Sequence, residues 1–295
     1  MAKPRGNVPF SYKTNLQIYP YQLVDNYVHG ARYFWEKFTG VQTLAYNNAA
    51  GVTAFPTASQ GQTDLIVCEN GGLIQLYQST AQTLMPTAQA AGGLEIALDQ
   101  VENEAVEYVP GCNLAAGKLT FTLGTSPNFF IKARFAITDV SGTDQCAIGF
   151  RKQEAFTATP VFAADGAYTD FACLNVVSGD LYTCTDLNNS GTATATDTGF
   201  NWADGETHTL EIRVVGRTPI YYVNGSKLPA TISVDGNGTA MTAETAITPP
   251  TFTFDAAEVL IPFIHILQDG DVTPVILYEL EVGELRMIGK DRDSE

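Results

Sequence analysis

Asp204-Gly205-Glu206-Thr207-His208-Thr209-Leu210-Glu211-Ile212-Arg213-Val214 and, a few residues on, Ile220-Tyr221-Tyr222-Val223-Asn224-Gly225-Ser226-Lys227-Leu228 decide how this chain is read. Leu210, Ile212 and Val214 alternate with Glu211 and Arg213, the period-2 pattern of a strand with one buried and one wet face. Ile220 to Val223 is a second apolar run, and it ends in Asn224-Gly225, a dipeptide that accepts the positive φ angles of a tight hairpin. Strands joined by tight turns are expected here.

The same pattern extends in both directions. Strand signals at 65–68 and 73–77 flank Asn70-Gly71-Gly72, and others follow at 94–98 and 118–123. In 129–137, Ile131, Ala133, Phe135 and Ile137 alternate with Lys132, Arg134 and Ala136; in 145–151, Cys146, Ile148 and Phe150 share a face. Both read as half-buried antiparallel strands, with 139–144 as a connecting turn. Residues 171–177 and 180–185 form a hairpin about Ser178-Gly179. Residues 259–267 are apolar on both faces. In 275–282, Ile276, Tyr278, Leu280 and Val282 point one way, and Glu279 and Glu281 the other.

Between these lie polar stretches at 45–63, 78–93, 155–170 and 229–250, all read as loops, and a Thr/Ala/Asn/Gly run at 188–199 read as an edge strand or projecting loop. No helix of ordinary length is predicted. The economical fold is all-β, an antiparallel jelly-roll sandwich. Its expected organisation is an extended N-terminal arm over 1–32, a sandwich over 33–287 with its core in 94–287, and a charged C-terminal tail over 288–295.

The formal net charge of −16 argues against nucleic-acid binding by the body, which would be repelled by a phosphate backbone. Basic residues gather at the start: Lys3, Arg5, Lys13, Arg32 and Lys37 stand against Asp25 and Glu36 in the first forty positions, and none follows until Lys118. The arm also carries Phe10, Tyr12, Tyr19, Tyr21 and Tyr27, too many large rings for a solvated tail. A basic, aromatic arm suits docking on an acidic partner, another copy of this body included. The five cysteines, Cys68, Cys112, Cys146, Cys173 and Cys184, show no CxxC spacing and read as reduced, buried, small apolar residues. The opening residues lack the apolar core of a signal peptide, and no run of about 18 apolar residues could span a bilayer. Asn224-Gly225-Ser226 and Asn237-Gly238-Thr239 fit a glycosylation pattern but read as turns.

Candidates for chemistry are few. Paired carboxylates two apart on one strand would suit a glycosidase. Glu102 and Glu104 have that spacing, whereas Glu95 has Ala97 as its partner position; with Asp99 and Glu107 they read as a wet strand edge and turn. Lectin-fold glucanases typically show Glu-x-Asp-x-(x)-Glu, from which Glu95-Ile96-Ala97-Leu98-Asp99 departs. His29, His208 and His265 sit in no metal-binding pattern; His265 reads as a hydrogen-bonded core histidine and His208 as a structural residue. Asp269-Gly270-Asp271 lacks the further oxygen ligands of a calcium loop. No nucleophile elbow, phosphate loop or dinucleotide fingerprint occurs. No catalytic, cofactor-binding or metal-ligating residue is assigned.

The Asp-Gly, His208, alternating strand and Tyr-Val-Asn-Gly turn resemble the central hairpin of concanavalin-A-like and laminin-G-like sandwiches. Residues 34–40 are similar to the opening edge segment of many such folds. Residues 129–152, 174–180 and 201–210 resemble segments of lectin-like structural proteins of tailed bacteriophages, a likeness spanning roughly 94–287. The resemblance implies a non-enzymatic virion component made in the bacterial cytoplasm and carried on the particle surface, a capsid decoration or cement protein. Its implied partners are the major capsid protein or other virion subunits and further copies of itself, with no nucleic acid and no membrane. The alternative is a carbohydrate-binding fibre or adhesin domain that recognises host glycans through the loops at 155–170, 188–204 and 229–250.

Overall fold

The computed structural model of the chain describes residues 33–38, 45–48, 62–68, 71–77, 86–97, 104–110, 119–141, 145–154, 156, 162, 168–187, 193–245, 247–268 and 273–285. In chain order its strands are β1 (Tyr33–Lys37), β2 (Ala45–Asn48), β3 (Gln62–Cys68), β4 (Gly71–Tyr77), β5 (Thr87–Ala88), β6 (Leu94–Ile96) and β7 (Glu104–Pro110). There follow β8 (Phe121–Thr122), β9 (Phe129–Ile137), β10 (Gln145–Lys152), β11 (Phe171–Val177), β12 (Asp180–Asp186), β13 (Thr194–Asn201) and β14 (Thr207–Val215). The last are β15 (Thr218–Val223), β16 (Ser226–Lys227), β17 (Thr231–Val234), β18 (Ala240–Thr245), β19 (Val259–Gln268) and β20 (Val275–Glu284). Among the described residues there is no helix.

Two antiparallel sheets make the sandwich. The eight-stranded sheet runs β16-β15-β14-β9-β20-β6-β5, with β1 also paired to β20. The ten-stranded sheet runs β13-β12-β11-β10-β19-β7-β4-β3-β2, with β8 also paired to β19. The opening sequence is where expected: Leu210, Ile212 and Val214 of β14 are buried and register against Ala133, Ile131 and Phe129 of β9. Asn224 and Gly225 adopt φ angles of 50° and 81° and turn β15 into β16, as the dipeptide predicts. Inner residues of the two sheets merge into one core, in which Phe121 stacks on Phe129 at 4.3 Å and Phe150 meets both edge-on.

Several segments differ from expectation. The polar stretch at 45–63 contains β2 and the start of β3, and 78–93 contains β5. Gly71 and Gly72 belong to β4 rather than to the turn before it. Residues 229–250, read as a loop, contain the two-stranded β17-β18 sheet. Residues 194–201 are the edge strand β13. In β20 the register shifts between Leu277 and Glu279, so Ile276 and Tyr278 lie on the outer face, and Leu280 and Val282 fall back into the core. The arm at 1–32 and the tail at 288–295 lie outside the described residues.

The largest departure concerns β10. Cys146, Ile148 and Phe150 face the inter-sheet core as expected, but Gln145, Ala147 and Arg151 on the other face are buried too. Two further apolar clusters cover that outer face: Phe156 over Ile74, Leu76, Ala105, Val109, Ile261 and Leu267, and Phe162 and Tyr168 over Ala147, Phe171, Cys173 and Phe263. The small residues Ala147 and Gly149 leave the trough in which the Phe162 ring lies, stacked on Phe263 at 5.6 Å.

Gly149 is sterically obligatory. A Cβ there would collide with the Ala172 carbonyl oxygen and lie 2.7 Å from the Cα of Cys173. Gly149→Ala is expected to lower stability by about 1–3 kcal/mol through forced backbone displacement, read from the midpoint of urea unfolding followed by tryptophan fluorescence.

Candidate functional site

Among the described residues, a dense group of ionisable side chains is sealed on the outer face of the ten-stranded sheet. Glu107 of β7 and His265 of β19 are register partners, and the Arg151 side chain of β10 reaches them from further along its strand. Arg151 donates from Nη2 to Glu107 Oε1 at 2.6 Å and from Nε to both carboxylate oxygens at 3.1 and 3.2 Å. Its Nη1 donates to the carbonyls of Lys152 and Glu154. The Tyr168 hydroxyl donates to Glu107 Oε2 at 2.8 Å, and its ring lies under the guanidinium at 4.1 Å. His265 Nδ1 is 3.4 Å from the same oxygen. Glu107, Arg151 and His265 are all 0% exposed.

Protonation states follow from this packing. Burial pushes the Glu107 carboxyl up, but Arg151's charge together with hydrogen bonds from His265 and Arg151 outweighs it and holds the pKa at about 2. Burial pushes the His265 imidazole down, Arg151 adds to this, and Glu107 only partly opposes it. A neutral ring fits the geometry: Nδ1–H donates to Glu107, and Nε2, which has no partner among the described residues, is left as an acceptor. The group is thus an anion, a cation and a neutral base bound to one another.

Neighbouring contacts hold the covering segment down. Lys152 bridges Asp170 at 3.2 Å and Glu258 at 3.0 Å. Glu154 accepts from the Thr169 backbone N–H and hydroxyl. Gln145 Oε1 accepts from Asn175 Nδ2 and from the Phe162 backbone N–H. An acid, a base and a cation are adjacent, none meets solvent, and their bonds tie β7, β10 and β19 together.

The outer face of the eight-stranded sheet is different. One row crosses five strands as Trp35, Glu281, Lys132, Glu211 and Tyr222, and the next runs Lys37, Glu279, Arg134 and Thr209. Tyr33 donates to Glu281 at 2.7 Å and Trp35 Nε1 to Glu279 at 3.2 Å. Arg134 lies 4.8 Å over the Tyr278 ring and donates to Asn237, and Arg213 lies 4.2 Å over Tyr222. Rings, cations, carboxylates and an amide share one half-exposed surface.

Of the sequence candidates, Glu95 lies in β6 opposite Ile276 and Thr87 and accepts from Gln89. Glu104 begins β7, whereas Asp99, Glu102, His29, Asp269, Gly270 and Asp271 lie outside the described residues. The wet-edge reading fails at Glu107. His265 is the hydrogen-bonded core histidine expected. His208 is structural: it is buried edge-on to Phe200 and Trp202, with Nε2 3.1 Å from Glu206 and Nδ1 3.0 Å from Asn224 in the turn after β15. Both glycosylation-like asparagines sit in turns, and Asn224 also binds the backbone of Thr209 and Val234. Among the described residues no His, Cys, Asp and Glu group suits a metal ion. Sequence reasoning missed Glu107 with Arg151, whose signal is opposite charges embedded in Ala-Val-Glu-Tyr-Val and Ile-Gly-Phe-Arg, runs otherwise fit for burial.

No protein-family model and no curated protein sequence matches the chain. Among solved structures it is similar to a protein of unknown function from Shewanella oneidensis, at 11% identity over 88% of this chain and 91% of the other, with a TM-score of 0.42. It is also similar to an alginate lyase, at 12% identity over 79% and 98% with a TM-score of 0.45, and to a Bacillus licheniformis β-glucanase, at 10% identity over 86% and 98% with a TM-score of 0.40. The fold rests on the strand pairing described above, and no role is carried over from these proteins.

Arg151→Ala leaves the Glu107 carboxylate buried without its cation and is expected to cost about 3–5 kcal/mol; replacing both with apolar residues of similar volume should cost much less, as measured by denaturant unfolding. Folding keeps Glu107 ionised, with its pKa at about 2 against an ordinary 4.5. Its contribution of about 3 kcal/mol is therefore complete above pH 4.5 and is lost as the pH falls towards 2. The depressed His265 acts with the same sign, starting below its ordinary 6.5. The melting temperature should fall steadily from pH 7 to 3, with a shallower fall below 4.5 in Glu107→Gln.

Proposed function

We propose that this chain is a non-enzymatic structural protein of a tailed-bacteriophage particle, a capsid decoration protein whose sandwich stands on the particle surface. The observation that carries the non-enzymatic part is the sealed Glu107, Arg151, His265 and Tyr168 group: the acid, base and cation best placed for chemistry are fully buried and bound to one another. Support for the particle part comes from the sequence, in the resemblance of residues 129–152, 174–180 and 201–210 to phage structural proteins and in the acidic body with its basic, aromatic leading segment. Partners on this reading are the major capsid protein or neighbouring virion subunits, and other copies of the chain.

A second reading, a glycan-recognising fibre or adhesin domain, is favoured by the outer face of the eight-stranded sheet. Trp35, Tyr278, Arg134 and Asn237 place rings beside hydrogen-bonding groups there, the mixture that holds a sugar ring.

Electron cryomicroscopy of purified particles carrying this protein separates the two. Regular copies over the capsid lattice are expected, and density only at tail or fibre tips would overturn decoration. A glycan array is expected to be blank; binding that is lost in Trp35→Ala and Arg134→Ala would establish the second reading instead.

A further inference from the structure

Cys173 of β11 and Cys184 of β12 are directly opposed across an antiparallel pair, both 0% exposed, on the outer face of the ten-stranded sheet. Opposed residues on antiparallel strands have Cα atoms about 4.5–5.5 Å apart, inside the span that a disulfide bridges without backbone movement. Cys146 faces the inter-sheet core on the opposite side of the sheet and cannot compete. From this juxtaposition we propose that Cys173 and Cys184 are a redox modification site, a pair of thiols that closes to a cross-strand disulfide.

The oxidant is a small-molecule disulfide such as oxidised glutathione. One thiol loses its proton, and its thiolate attacks a sulfur of that disulfide, forming a mixed disulfide and releasing one glutathione thiolate. The second cysteine, likewise deprotonated, attacks the protein sulfur of the mixed disulfide and displaces the other glutathione. Two cysteine thiols are oxidised, one glutathione disulfide is reduced to two thiols, and the two protons pass to the departing thiolates. In the folded chain this is slow, because burial and the neighbouring thiol push Cys173 well above the ordinary thiol range and leave little thiolate to attack. The hairpin itself is local: the two-residue turn Ser178-Gly179, with φ angles of 49° and 90°, joins β11 directly to β12. It sets the two cysteines opposite each other before Phe162 and Tyr168 cover them, so the reaction belongs to folding. The proposal is independent of any role on a particle.

The test refolds the full chain from denaturant in a glutathione redox buffer and in excess reductant, then maps cysteines by mass spectrometry of a non-reducing digest. A linked peptide joining Cys173 to Cys184, and a melting temperature several degrees higher in the oxidised protein, are expected. The shift should vanish in Cys184→Ala, whose own folding is checked by its melting transition under reductant. Recovery of both residues as free thiols after refolding in excess oxidised glutathione, or a link from either to another cysteine, would overturn the proposal. So would a linked protein with an unchanged melting temperature.

Discussion

The ion pair between Glu107 and Arg151 is the constraint on which the rest of the sandwich depends. Two opposite charges with no access to water are tolerable only together and only fully hydrogen-bonded, and the pair draws its partners from β7, β10, β19 and the segment that ends at Tyr168. It therefore specifies register. Were β7 to slip by one residue, Glu107 would turn into the core between the sheets and Tyr108 would take its place. Apolar pairs such as Ile264 with Tyr108 would be little disturbed by neighbouring arrangements, whereas the carboxylate has a single acceptable one.

The two outer faces of the sandwich show opposite solutions to the same problem. Both have charged and aromatic residues in cross-strand rows. On the ten-stranded sheet, small residues at Ala147 and Gly149 open a trough that Phe162 fills, Tyr168 and Phe156 cover the surface beside it, and the charges beneath become internal. On the eight-stranded sheet the rows of Trp35, Glu281, Lys132, Glu211 and Tyr222 are larger side chains that lean on one another, with arginines laid over tyrosines. A face that covers itself is a structural layer, while a face that remains accessible is available to a partner.

The fold was legible because period-2 alternation and turn dipeptides survive without knowledge of tertiary neighbours. Residues 129–137 and 207–214, the Ser178-Gly179 and Asn224-Gly225 turns and the both-sided burial of 259–267 were all read from pattern. Three features were not. The shift after Leu277 breaks the alternation of β20 by one residue, and nothing in Tyr278 announces it. The Thr/Ala/Gly composition of 231–245 lacks apolar weight because β17 and β18 rest almost wholly on the surface, with Ile232 alone fully inserted. Glu107 reads as wet because its cation comes from 44 residues away; only the folded chain brings the two charges together. The polar character of the site was visible in the sequence, but its closure was a property of the fold.

The order of strands in the two sheets has a consequence for how the chain is made. β19 and β20, the last two described strands, occupy central positions: β19 sits between β10 and β7, and β20 between β9 on one side and β1 and β6 on the other. A chain emerging from the ribosome can close local hairpins such as β11 with β12, but neither sheet can be completed until residues 259–284 have been synthesised. Until then β9, β10 and β7 present open backbone edges beside apolar faces, the kind of surface that recruits foreign strands. By that strand order, slower elongation lengthens the time at risk and a holding chaperone limits its effect.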